Sequence, residues 1–88
     1  MQVLQTVVEV DGEGLKALMG EQVLLMCTNY FYAGKLVGVN DTCVKLEDPS
    51  IVYDTGAFSS GAWSDAQRLH TDEWYVQREA IESFGKGK

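Results

Sequence analysis

Apolar positions along this chain come in short runs of strand character, separated by glycine and Asx corners. Residues 3–10 are rich in Val and Thr and read as extended. Asp11-Gly12 and Gly14 break that segment. Leu15, Leu18 and Met19 then fall at i, i+3 and i+4, which predicts a short helix with one apolar face. Glu13 stands near its positive end and Gly20 is placed to close it. From Gln22 the pattern changes. Val23 to Cys27 is a near-continuous apolar run, and Phe31 to Val39 a second strand interrupted by Gly34 and Gly38. Glycines inside a strand permit sharp bending or close backbone approach, so this strand is expected to curl around a small core.

Asn40-Asp41 is good turn chemistry, because both residues tolerate positive φ. Thr42 to Glu47 alternates, with Val44 and Leu46 facing one way and Lys45 and Glu47 the other. Pro49 has no N–H to donate and limits where this strand pairs, and Ile51 to Tyr53 extend it beyond a bulge. Residues 54–72 show little periodicity and read as a long connection, with Phe58 and Trp63 as plugs that pin it. Trp74 to Gln77 and Ala80 to Phe84 form the last two strands around a tight corner at Arg78-Glu79. The fold class that follows is mostly β: a small, strongly bent, five-stranded open barrel with a short N-terminal helix. It occupies residues 1–88 as one domain, with 1–12 as an N-terminal extension, 54–72 as a long loop and 85–88 as a flexible tail.

Eighty-eight residues suffice for one domain, and a chain of this size is often secured by a partner subunit. Cys27 and Cys43 lie far apart in apolar contexts without a CxxC or a neighbouring histidine, and read as reduced, buried thiols, with a disulfide as the alternative. Two cysteines and one histidine, scattered, do not make a zinc site, and no metal or cofactor is expected. No basic-then-apolar leader and no run of roughly 18 apolar residues is present, so a soluble, cytoplasmic protein without membrane contact is expected. The net charge of −6 argues against broad capture of phosphate backbones, although a local patch can differ in sign.

Gly20-x-x-Val23, Gly34-x-Leu36, the Asn40-Asp41 turn, Val44-x-Leu46 and Glu47-Asp48 resemble the first motif of the Sm/LSm family. Val76-Gln77-Arg78-Glu79-Ala80-Ile81 resembles the second, and Ala80-Ile81 also matches the version in Hfq, the bacterial branch. The resemblance covers roughly residues 13–53 and 73–84 and implies an Sm-like (SH3-like) barrel. It also implies a homo-oligomeric ring of about five to seven subunits, in which the fourth strand of one copy pairs with the fifth of the next. Val76, Ile81 and Phe84 would flank that seam, or simply fill the monomer core.

The family's pore-lining turns correspond to Asn40, Asp41 and Thr42 and to Gln77 and Arg78, which the resemblance implies contact RNA or single-stranded DNA. The match has departures. The first turn is one residue short and has no aromatic to stack a base, while Gln77 stands in the usual arginine position and Arg78 in the glycine's. Asp41 and Glu79 put carboxylates beside the arginine and are able to neutralise it.

The expected function is a non-catalytic ring that binds RNA or single-stranded nucleic acid and serves in its processing. The alternative is a structural or protein-binding ring anchored by Phe58, Trp63 and Trp74. His70 has no serine or cysteine at a diagnostic spacing, and so short a chain has little room for a substrate cleft, so no enzyme is expected.

Overall fold

The computed structural model describes residues 14–88. The expected N-terminal extension, residues 1–12, lies outside them. A 3-10 turn, Leu15–Leu18, precedes six strands: β1 (Gln22–Cys27), β2 (Phe31–Val39), β3 (Cys43–Asp54), β4 (Asp65–Arg68), β5 (Glu73–Gln77) and β6 (Ile81–Lys86). They form one antiparallel sheet in the order β4-β3-β2-β1-β6, with β5 also paired to β3. The sheet bends on itself but does not close. Among the described residues β5 pairs only with β3 and β6 only with β1, so each has one free edge.

Two apolar clusters explain the unbroken run in β1. Val23, Leu25 and Cys27 point into the main core with Leu15, Leu36, Val44, Leu46 and Val76. Leu24 points the other way, into a smaller cluster with Ala33 and Val52 that Trp63 covers from the long loop. Both faces of β1 are therefore dry, and alternation is lost. Where β3 pairs with β5 only one face is covered. Val44 pairs with Val76 and Leu46 with Trp74 on the inner side, while Lys45 pairs with Tyr75 on the outer.

The bend has two local causes. Pairing of β2 with β3 shifts register between Ala33 and Lys35, around Gly34. A Cβ on Gly34 would lie 3.0 Å from the Glu47 carbonyl oxygen and 3.2 Å from Leu46 Cβ, so only glycine lets the strands approach this closely. Opposite, Asp48 takes a positive φ of 52°, an uncommon state for a non-glycine residue that Asp tolerates better than most. Arg68 holds Asp48 there at 2.8 Å and reaches Asp72 at 3.6 Å, while the Asp48 N–H donates to the Asp72 carbonyl at 3.0 Å.

Three expectations need correction. The N-terminal helix is only a 3-10 turn, since four residues cannot complete an α-helical ladder. The sheet has six strands, because Asp65–Arg68, inside the expected 54–72 loop, pairs with Ser50–Asp54 of β3. Its four side chains are all exposed, so it buries nothing that would leave a hydrophobic period. Residues 85–88 are not a free tail. Gly85 and Lys86 belong to β6, and the Gly87 N–H continues the ladder to the Gln22 carbonyl at 2.8 Å.

Gly34→Ala is expected to destabilise the protein by about 1–3 kcal/mol in urea melts, because the new methyl meets backbone. Gly61→Ala, where nothing lies within 4 Å of the added Cβ, should be neutral or slightly stabilising. The cysteines, both free, should also differ. Burial first, and the Glu82 carboxylate second, push the Cys27 thiol up from its ordinary range, so little thiolate forms at neutral pH. Mass spectrometry after native alkylation should find Cys43 modified well before Cys27, with the difference abolished in denaturant.

Candidate nucleic-acid interface

The β2–β3 turn is built around one side chain. Asn40 Oδ1 accepts from the Thr42 N–H (2.8 Å), the Thr42 hydroxyl (3.1 Å) and the Cys43 N–H (2.9 Å). The Asn40 N–H closes the turn on the Cys43 carbonyl at 3.0 Å. An Asx-type cap of this kind makes a short turn without glycine. It also commits the oxygen of Asn40. The amide oxygen is a structural group of the turn.

The second turn, Arg78–Ala80, is a single 3-10 turn between β5 and β6. It docks on the first. The Arg78 N–H donates to the Thr42 carbonyl and its Nη1 to the Asn40 carbonyl, both at 2.9 Å. Asn40, Asp41, Thr42, Gln77 and Arg78 thus lie together at one end of the sheet, with Cys43 directly opposite Gln77 in the ladder. Among the described residues no carboxylate ion-pairs with Arg78; the guanidinium spends its contacts on the backbone of the neighbouring turn.

Beside the joined turns is an open cleft of about 550 Å³ lined by Asp41, Thr42, Cys43, Tyr75, Gln77 and Glu79. Tyr75 is the residue that sequence reasoning missed. It is 60% exposed, and it also borders a shallower depression formed with Gly38, Asn40 and Lys45. The Lys45 ammonium lies 5.8 Å from its ring centroid and pairs with Glu73 at 3.2 Å. The hydrogen bond and charge of Glu73 raise the lysine's pKa, so it stays protonated throughout the physiological range. The first turn has no aromatic, yet β5 supplies one across the strand pair. The only signal for it in the chain is the alternation Trp74-in, Tyr75-out, Val76-in.

This arrangement offers an aromatic face, flanking amide and hydroxyl groups, and a lysine and an arginine close by. Asp41 and Glu79 on its wall add negative charge, which opposes phosphate.

The three seam residues separate. Val76 is buried in the main core at 4% exposure, so its side chain is not available to a neighbouring copy. Ile81 is half-buried against that core, and Phe84 is 44% exposed on β6. His70 packs edge-on against Trp74, with ring centroids 6.1 Å apart. Among the described residues no cluster of three His, Cys, Asp or Glu side chains could hold a metal, and no helix is long and apolar enough to cross a membrane. No protein-family model, characterised protein or solved structure matches the chain.

Asn40→Ala removes an acceptor shared by three donors and should cost about 1–2 kcal/mol. The amides of Thr42 and Cys43 should exchange faster in NMR hydrogen exchange. Asn40→Asp, which keeps the acceptor, should preserve both stability and protection.

Proposed function

We propose that the chain is a non-catalytic, cytoplasmic module of the Sm-like kind. It assembles with copies of itself into a ring and binds RNA or single-stranded DNA at the cleft beside the Asn40 and Arg78 turns. The observation that carries this reading is the exposed Tyr75 ring beside two turns clamped by Arg78, at the end of an unclosed sheet. Free edges on β5 and β6 support assembly, because unpaired N–H and C=O groups are satisfied when one copy's β5 meets the next copy's β6. Since the 3-10 turn joins those two strands, closure would gather one Arg78 and one Tyr75 per subunit around a common axis. Stacking on Tyr75 is tolerant of base identity, and the Gln77 amide supplies donors and an acceptor for base edges, with the Thr42 hydroxyl oxygen as a further acceptor.

The second reading, a ring that binds protein, is favoured by the carboxylates of Asp41 and Glu79 in the cleft wall and by the exposed Phe58 and Phe84.

Gel filtration with light scattering should give a mass several times the 9.7 kDa chain. Ile81→Asp should collapse it toward monomer while circular dichroism retains the β signature. Oligouridine RNA and single-stranded DNA of equal length, titrated by fluorescence anisotropy, should bind the wild type. Tyr75→Ala should weaken binding by about 1–3 kcal/mol, the value of one base–aromatic stack. A monomeric wild type would defeat the ring, and an assembled protein that ignores both oligonucleotides would leave the protein-binding reading.

A further inference from the structure

The long connection between β3 and β4 folds around a cation. Lys88 Nζ donates to the Thr55 carbonyl at 2.7 Å, the Ala57 carbonyl at 2.8 Å and the Ala62 carbonyl at 3.0 Å. It also lies 4.8 Å from the Trp63 ring centroid and 5.7 Å from that of Phe58. Three acceptors match the three N–H bonds of a primary ammonium, and the two rings add cation–π attraction.

The cage has contacts of its own besides those to its occupant. Trp63 packs against the Leu24, Ala33 and Val52 cluster. The Asp54 carboxylate accepts from the Gly56 N–H at 2.9 Å, Gly56 takes a positive φ of 66°, and the Ser60 N–H donates to the Ala57 carbonyl at 2.9 Å. Delivery of the lysine is equally specific. A Cβ on Gly87 would meet the Val23 carbonyl carbon at 2.9 Å and its oxygen at 3.0 Å, so glycine alone lets the chain hug β1 and present the next residue to the loop.

We propose that the 55–63 loop is a receptor for a lysine-type primary ammonium group, and that Lys88 is its ligand in cis. The site selects by donor count. Each methyl added to the nitrogen removes one N–H and leaves one carbonyl unanswered, whereas a quaternary ammonium keeps only the ring contacts. This is a binding site separate from the Tyr75 cleft and does not rest on nucleic-acid binding or on assembly.

The test uses the full chain with the cage emptied in two ways. Lys88→Met removes the ammonium and keeps the stem. Gly87→Ala keeps the lysine but pushes it off its path. In both, the amides of Gly56 and Ser60 should exchange about tenfold faster than in wild type, the scale of losing a charge-assisted set of hydrogen bonds. The β1 amides should stay protected, reporting an intact sheet. Adding n-butylammonium chloride should restore loop protection and give a saturable shift of the Trp63 indole N–H resonance. Tetramethylammonium at the same ionic strength should do neither. Unchanged loop exchange in both variants would overturn the proposal, as would failure of n-butylammonium to restore protection or equal rescue by tetramethylammonium.

Discussion

The bend in β3 is the constraint on which the rest of the molecule depends. The strand is long, yet it serves different partners along its length: Cys43 to Glu47 pair with β5, and Ser50 to Asp54 with β4. Between them stand Asp48, at positive φ, and Pro49, fully buried and without an N–H. The change of partner is possible because the backbone turns there, and Gly34 on β2 yields the space into which it turns. Arg68 bridges Asp48 and Asp72, tying the kink to the chain that links β4 to β5. As exposed ion pairs, these hold geometry more than they add stability.

The cleft follows from that bend. With β5 on the first half of β3, the ladder sets Tyr75 opposite Lys45 and Gln77 opposite Cys43, and carries the chain into the Arg78 turn beside the Asn40 turn. Arg78 then works by hydrogen-bonding backbone carbonyls rather than by neutralising a carboxylate. Those bonds fix the two turns relative to one another. The same sheet uses its outer surface differently at the far end, where the long loop lays Trp63 over Leu24, Ala33 and Val52. Small chains gain most from such second layers, because one core is rarely enough at this length.

What was legible in the sequence followed from local pattern. The run at Val23 to Cys27, the glycine interruptions of β2, the alternation in Thr42 to Glu47 and the corner at Arg78 all register as strand or turn. There burial of one or both faces imposes a side-chain period, and turns demand particular residues. Strand β4 left no such mark. Asp65, Ala66, Gln67 and Arg68 are all exposed and bury no apolar face where they join the sheet, so no hydrophobic period reports them. The last residues, polar and glycine-rich, resembled a loose end for the same reason, although Lys88 is held by three carbonyls.

The sequence by itself therefore determined a mostly β chain, its main strands and its two candidate turns, through hydrophobic period and turn chemistry that act over a few residues. The tertiary structure alone decided that Asn40 spends its oxygen within its own turn, that Val76 belongs to the core, and that Tyr75 presents an exposed ring in the cleft beside the first turn. Those outcomes depend on strand register and on which face meets the core. Both are set by contacts between residues far apart in the chain, which local pattern cannot encode.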